Sequence, residues 1–186
     1  MRLFIAIEIP PDVRAALAAL LKELRAMAPE VKWVRPENMH ITLKFLGETD
    51  GSKITAVQRA LTAIRSGAAV TLQFRGLGFF PNAKHARVFW AGMEASPNLA
   101  VLAAEIDQAM HKLDFQLEDR AFTPHLTLGR FQPPGLPSRL AKVTQEQAAQ
   151  EFGSLSAREF RLIESKLKPA GAEHTTLQSF PFVAEA

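Results

Sequence analysis

Two stretches of the chain share one alternation of polar and apolar positions. Each reads His, an aliphatic residue, Thr and Leu, with a basic residue and Phe close behind: His40 and Thr42 belong to the first, His125 and Thr127 to the second. Successive side chains of a β-strand point to opposite faces, so the aliphatic residues enter a core while His and Thr share the other face. The pattern predicts two strands that each present an imidazole and a hydroxyl.

The remaining pattern predicts an alternating series of strands and helices. Apolar residues at helical spacing predict helices from Pro11 to about Met27, from about 54 to 64, from Ser96 to about Met110 and over 144–152. Extended segments are predicted at 2–9, 32–35, 39–46, 70–74, 86–92, 124–131, 159–167 and 175–183. The Gly- and Pro-containing stretch 76–86 is predicted to be a loop or a wide hairpin, and 132–141 is predicted to be a loop.

The order of these elements indicates a duplication. A strand, a helix and the first His strand are followed by a second strand, helix and His strand in the same order. We therefore predict an α+β, bilobal, duplicated fold in which two antiparallel sheets face a central groove and the helices lie outside. No stretch resembles a flexible linker, so residues 1–186 are predicted to form a single two-lobed domain.

Composition removes several classes of protein. The chain has no cysteine, which excludes disulfides, thiolate nucleophiles and cysteine-based metal sites and agrees with a cytoplasmic location. The apolar run at the N-terminus is interrupted by Glu8 and Pro10, and no window approaches the roughly 18 apolar residues of a membrane span. We expect a soluble protein. The net charge of +3 is compatible with a phosphate-bearing ligand without indicating one.

Two imidazoles on matching strands suggest acid–base chemistry. Imidazole titrates near neutral pH, so one neutral and one protonated copy can act as base and acid in the in-line cleavage of a phosphodiester. The hydroxyls of Thr42 and Thr127 could donate hydrogen bonds to the non-bridging oxygens. A third His-x-Thr unit begins at His174, and the pattern alone does not decide which two units act together.

The sequence resembles the RNA 2′,3′-cyclic phosphodiesterase branch of the two-histidine phosphoesterases, also called 2′-5′ RNA ligases. The residues that carry the resemblance are Arg2–Ala6, Trp33-Val34, the two His-x-Thr-Leu stretches, Arg87–Trp90 and the C-terminal segment from Leu167 to Phe182. The resemblance implies hydrolysis of a terminal 2′,3′-cyclic phosphate to a 2′-phosphate without metal or cofactor. It implies that His40 donates a proton to the leaving 3′ oxygen and that His125 activates water.

The same resemblance implies the partners and one further contact, and strand alternation suggests a second. We expect RNA ends or nucleotides carrying a 2′,3′-cyclic phosphate as substrates, a monomeric enzyme, and 2′-5′ ligation at most as a side activity. Arg130 matches a substrate-binding position of the family, although simple alternation from His125 puts it on the opposite face. Twist, a bulge at Gly129 or the strand end would let it reach phosphate. Lys44 has the same parity as His40 and is a second candidate substrate ligand. Structural or solvated roles are the alternatives for both.

Other readings stay open from the sequence alone. Family members often carry Tyr where this chain has His174, and the chain contains no Tyr. His85 and His111 are assigned to a loop and to a helix surface. Core packing is the first reading of three aromatic residues, with stacking on a terminal base as the alternative: Trp33, Phe79 and Phe80. An RNA-binding module without turnover and a metallohydrolase are the competing functions.

Overall fold

The computed structural model describes residues 1–169 and 171–183 as an α+β fold with two antiparallel sheets. The helices are α1 (Pro11–Met27), α2 (Ile54–Thr62), α3 (Asn98–His111) and α4 (Ser138–Glu146). The strands are β1 (Arg2–Glu8), β2 (Lys32–Trp33), β3 (His40–Glu48), β4 (Val70–Phe80), β5 (Val88–Ala95), β6 (His125–Arg130), β7 (Glu151–Ala157), β8 (Glu159–Lys168) and β9 (Gly171–Pro181). The predicted fold class is confirmed. Of the predicted domain, residues 170 and 184–186 lie outside the described part.

Each sheet contains one His strand in the same topological position. The first sheet has the order β3-β1-β8-β9, and the second has the order β2-β6-β5-β4-β7. In both, the His strand pairs with the strand that precedes it across one helix, and two further strands follow on the other side. The second sheet differs by the two-residue strand β2, which pairs with the outer side of β6. The duplication read from the order of elements is therefore present in the topology.

The helices connect the halves of the duplicated unit. Helix α1 follows a strand of the first sheet but packs against β7 and α4 on the second. Helix α3 follows a strand of the second sheet but packs against β3 and α2 on the first. Side chains from both sheets and from all four helices join one buried apolar cluster. Because α1 and α3 each follow a strand of one sheet and pack against the other, they hold the two sheets together. Strand β3 contacts β6 where the sheets meet.

The apolar stripes of the helices are the ones that the spacing predicts. The buried face of α1 consists of Val13, Leu17, Leu20, Leu21 and Leu24. The buried face of α3 consists of Leu99, Leu102, Ala103, Ile106 and Met110. Pro11 stands in the first turn of α1, where a missing N–H costs no helical hydrogen bond. No described helix is both long and apolar enough to cross a bilayer.

Three local predictions are wrong. Strand β4 continues to Phe80, because Gly76 adopts a φ of 72° at a bulge and pairing with β5 resumes at Leu77. Helix α4 begins at Ser138, six residues before its predicted start, directly after Pro137. Strand β7 was missed because it alternates weakly at the edge of its sheet, where it pairs with β4. These differences lie at sheet edges and in connections, where the apolar pattern is weakest.

Candidate active site

Each His strand contains an extra residue directly after its His-x-Thr unit. In β3, Thr42 lies opposite Ala6 and Lys44 lies opposite the preceding residue of β1, so Leu43 has no partner of its own. In β6, Thr127 lies opposite Trp90, and the neighbouring residue of β5 lies opposite Gly129, so Leu128 is the extra residue. Both irregularities are β-bulges, which interrupt the simple alternation of faces.

Before the bulge, His and Thr share a face in both strands. His40 and Thr42 pair with residues two apart on β1, and His125 and Thr127 pair with residues two apart on β5. All four are half-buried, whereas the aliphatic residues between and after them are buried. The predicted shared face is therefore confirmed for each pair. The strands that carry the two faces, β3 and β6, are in contact.

The ring of His125 is oriented by its own backbone. Its Nδ1 lies 2.8 Å from the carbonyl oxygen of Thr123, and because a carbonyl only accepts, Nδ1 carries the proton. In the neutral ring this leaves Nε2 unprotonated. Phe80 at the end of β4 contacts the ring edge-on, with centroids 5.7 Å apart. The neutral ring of His125 is therefore set to accept a proton through Nε2.

The ring of His40 lies in a cluster of three rings. It stacks on Phe4 with centroids 4.6 Å apart, and the ring of His174 from β9 contacts both, at 5.1 Å from His40 and 5.0 Å from Phe4. Burial lowers the pKa of His40 to about 4, with smaller contributions in the same direction from the positive charges of His174 and Arg14. A hydrogen bond to the backbone of Asn38 opposes this shift.

His174 was the third candidate, and the structure brings it to His40. Burial, and secondarily the charge of Arg2, lowers the pKa of His174. The loop before β3 is hydrogen-bonded to β9, the strand that carries His174. The side-chain amide of Asn38 donates to the carbonyl oxygen of Ala172, 2.8 Å away. The first sheet thus presents two imidazoles in contact with each other.

The hydroxyls of Thr42 and Thr127 are free to serve a ligand. Neither forms a hydrogen bond with a described residue. Each stands two residues after its histidine on the half-buried face. They are therefore available as hydrogen-bond donors beside the two rings.

The parity argument for Lys44 is wrong. Beyond the bulge, Lys44 points to the same side as Leu43, where it is 2% exposed. Its ammonium group lies 2.5 Å from a carboxylate oxygen of Asp107 on α3 and donates to the carbonyl oxygen of Gln116 at 2.8 Å. Glu118 adds a carboxylate at 3.8 Å. Lys44 is thus neither solvated nor turned toward the histidine face, and we assign it a structural ion pair.

The opposite correction applies to Arg130. The bulge at Leu128 returns it to the face of Thr127, because their partners on β5, Val88 and Trp90, are two residues apart. Arg130 is exposed, and its position after the bulge corresponds to that of Phe45 in β3. Simple alternation alone would put Arg130 on the opposite face, but the bulge makes its side chain available on the histidine face.

Aromatic side chains divide between the core and the site. Trp33 packs in the core, where its indole donates to the carbonyl oxygen of Ala28 at 2.9 Å, and Phe79 packs against the same core. Phe80 instead lies beside His125 and contacts Trp90, with centroids 5.5 Å apart. The indole nitrogen of Trp90 is buried without a hydrogen-bond partner among the described residues.

Some of these neighbours could not be assigned from the sequence. The apolar pattern marked Phe4 and Trp90 only as strand residues and gave no reason to choose between the two faces. His85 and His111 are exposed, on a short 3-10 turn and at the end of α3, as predicted. Within residues 1–169 and 171–183, no three His, Asp or Glu side chains are grouped so as to hold a metal ion.

Comparison with known proteins places the chain among phosphoesterases. A family model described as LigT like Phosphoesterase matches residues 7–90 and 93–172. A protein of Archaeoglobus fulgidus named RNA 2′,3′-cyclic phosphodiesterase is 34% identical over 180 residues, which cover 97% of this chain and 99% of that protein. The crystal structure of TT0787 from Thermus thermophilus has a TM-score of 0.81 at 31% identity, with both chains covered completely. E. coli LigT in complex with 3′-AMP has a TM-score of 0.77 at 26% identity, covering 98% of each chain.

Proposed function

The chain belongs to the LigT like Phosphoesterase family, and from this membership we propose that it is an RNA 2′,3′-cyclic phosphodiesterase. It hydrolyses a terminal 2′,3′-cyclic phosphate to a 2′-phosphate. The observation that carries the proposal is the repeated geometry of the two His-x-Thr units. Each presents an imidazole and a free hydroxyl on one face, and the strands that hold them are in contact.

His125 is the base in this mechanism. Its Nδ1–H is held by the Thr123 carbonyl oxygen, so the lone pair of Nε2 is available to remove a proton from water. The water oxygen attacks phosphorus as this proton leaves. The fixed tautomer is the support for the assignment, because a ring protonated at Nε2 instead could not act as the acceptor.

His40 is the acid, and its low pKa requires an explanation. A group with a pKa of about 4 is neutral at pH 7 in the free protein. Raising the pKa of His40 from about 4 to about 7 requires roughly 4 kcal/mol. A phosphate anion at about 4 Å and an effective dielectric constant near 20 supplies about that amount. We therefore infer that His40 becomes protonated when the cyclic phosphate binds.

The proton balance of the reaction then closes. His125 takes a proton from water, the water oxygen forms a bond to phosphorus, and the bond from phosphorus to the 3′ oxygen breaks. The 3′ oxygen takes the proton of His40, and the product carries a 2′-phosphate and a free 3′-hydroxyl. The hydroxyls of Thr42 and Thr127 donate to the non-bridging oxygens, whose charge grows in the transition state. Joining of RNA ends through a 2′-5′ bond uses the same site with the 5′-hydroxyl of a second RNA end in place of water: its oxygen bonds to phosphorus, its proton goes to His125, and the bond to the 3′ oxygen breaks.

The test uses an oligoribonucleotide that ends in a 2′,3′-cyclic phosphate, incubated with the protein in the presence of a chelator. We expect a product with a 2′-phosphate and none with a 3′-phosphate. His40→Ala and His125→Ala should each lower kcat by at least about 100-fold, the usual scale of a lost acid or base. Persistent turnover in the double variant would reject the two-histidine mechanism, and loss of turnover with chelator would reject its metal independence.

His85→Ala is the matched control for these variants. Its ring is exposed and forms no hydrogen bond with a described residue, so removal should leave turnover unchanged.

We also propose that the enzyme acts as a monomer in the cytoplasm without a cofactor. Its lack of cysteine supports a reducing compartment. Sedimentation tests the monomeric state, cell fractionation tests the cytoplasmic location, and turnover by the dialysed protein tests independence of a cofactor.

A further inference from the structure

The two-residue strand β2 creates an unusual pair of like charges. Lys32 is the direct cross-strand partner of Arg130. Trp33, the other residue of β2, lies opposite Gly129 and packs over it, so Lys32 points to the other side of the sheet. That side is the one on which Arg130 joins Thr127. Two cations therefore stand next to each other on the face that carries His125.

This pair has no compensation within the described protein. Both side chains are exposed, and neither forms an ion pair or a hydrogen bond with a described residue. Like charges directly opposite each other on a sheet repel and are destabilising. Lys32 stands on the two-residue strand β2, and Arg130 is the last residue of β6. A bound anion would remove the repulsion.

The row of Lys32 and Arg130 is separated from the row of His125 along the sheet. Arg130 lies opposite Val88 and His125 lies opposite Gly92, four residues further along β5. At about 3.4 Å per residue, the two rows are roughly 14 Å apart. An anion held by Lys32 is therefore a different group from the phosphate attacked beside His125, although both lie on one face of one sheet.

We propose that Lys32 and Arg130 bind the backbone phosphates of an RNA strand on the 5′ side of its cyclic end. This inference rests on the proposed function and specifies the substrate class as RNA chains in preference to mononucleotides. A cyclic phosphate occupies the 3′ end of a chain, and every nucleotide before it adds a negative charge. The terminal group enters between the histidine strands, and the rest of the strand follows the sheet toward β2.

The test compares two substrates, adenosine 2′,3′-cyclic phosphate and a ten-nucleotide RNA with the same end. Wild-type protein should use the RNA with the higher kcat/KM. Lys32→Ala should raise KM for the RNA about fivefold with kcat unchanged, and leave kinetics on the mononucleotide unchanged. Direct binding of the RNA product, measured by fluorescence anisotropy, should weaken to the same extent. The slope of the logarithm of the binding constant against the logarithm of the salt concentration should become less negative by about 0.7, the value for one phosphate contact on a single strand.

Lys142→Ala is the matched control, because this lysine on α4 is 78% exposed and is placed by its ion pair with Glu146. It should change neither substrate. Equal effects of Lys32→Ala and Lys142→Ala on RNA binding would overturn the proposed phosphate site. Because binding of the product is measured separately, the site is decided even if the cyclic end is not hydrolysed. Hydrolysis of the mononucleotide but not of the RNA would support the acid–base chemistry at the cyclic phosphate and reject RNA chains as the substrate class. Lys32→Glu, which reverses the charge, should enlarge every effect of Lys32→Ala.

Discussion

The ring of His174 lies 5.1 Å from the ring of His40, with 63° between their planes. The chain thus has two imidazoles on one side of the site, and both pack on Phe4. When His174 is charged, it opposes a second positive charge on His40. The residue that supplies the proton in the proposed mechanism therefore has its pKa adjusted by a neighbour outside the two paired motifs.

Replacement of His174 should raise the pKa of His40. In His174→Gln a polar side chain of similar size remains, but the charge that lowers the pKa of His40 is removed. A titration of the His40 ring signals by NMR in the two proteins measures this shift. His111→Gln, at the exposed end of α3, is the control and should leave His40 unchanged. An unchanged or lower pKa in His174→Gln would contradict the coupling.

The low pKa of His40 also predicts sensitivity to acid. Between pH 6.5 and pH 4 the unfolded chain binds a proton at this position and the folded chain does not. The free energy of unfolding therefore decreases as the pH is lowered through this range. A difference from 6.5 to about 4 corresponds to about 3 kcal/mol of stability, present above pH 6.5 and lost by about pH 4. Urea denaturation at a series of pH values measures it.

The comparison that isolates His40 is the variant His40→Asn. Carboxylates that titrate over the same range affect both proteins equally, so the difference between them isolates the histidine. The advantage of wild type over His40→Asn should shrink by about 3 kcal/mol from pH 7 to pH 4. A constant difference across that range would mean that His40 titrates alike in the folded and unfolded chains.

The buried ion pair of Lys44 predicts a stability effect without a binding effect. Lys44→Met leaves Asp107, 17% exposed in its side chain, without its nearest cation. Breaking a buried pair from one side costs about 3 kcal/mol, whereas Lys44→Met with Asp107→Leu removes both charges and should recover most of this loss. Chemical denaturation measures both. KM for adenosine 2′,3′-cyclic phosphate should stay within about twofold. A tenfold rise in KM without loss of stability would show that Lys44 binds substrate and would contradict its structural role.

Lys44 and Arg130 also mark the limit of sequence reasoning here. Alternation correctly placed His40 with Thr42, and His125 with Thr127, because each pair lies before the bulge. After the bulge it failed twice, in opposite directions. A β-bulge depends on hydrogen bonds to the neighbouring strand, and the sequence of one strand does not contain that information. The topology was easier to predict, since the order of apolar segments and the repeated motif are both local features of the chain.

His174 shows a second kind of limit. Its motif was visible, but its distance from the other histidines depends on how far the first sheet brings β9 toward β3, with β1 and β8 between them. No periodicity reports such a curvature. The weak strand β7 was missed for a related reason, because an edge strand is held by its partner β4 more than by its own apolar residues.

Gly78 leaves room for the ring of Trp90, which contacts Phe80 beside His125. Its replacement provides a final prediction. A Cβ at this position would lie 2.2 Å from two atoms of the Trp90 ring, which lies across the glycine. Gly78→Ala must therefore displace the indole, and we expect a loss of about 1–3 kcal/mol, the usual cost of overpacking. Gly67→Ala is the control, because a Cβ there would meet nothing within 4 Å.

The double variant Gly78→Ala with Trp90→Leu separates this contact from other effects of the new methyl group. Leucine lacks the ring atoms that the methyl would strike, so the penalty of Gly78→Ala should be much smaller in the Trp90→Leu background than in wild type. Chemical denaturation of the four proteins of this cycle measures the coupling. Equal penalties in both backgrounds would show that Gly78 is required for a reason other than the indole. Phe80 contacts both Trp90 and His125, so a displaced indole should also lower kcat/KM for the cyclic phosphate.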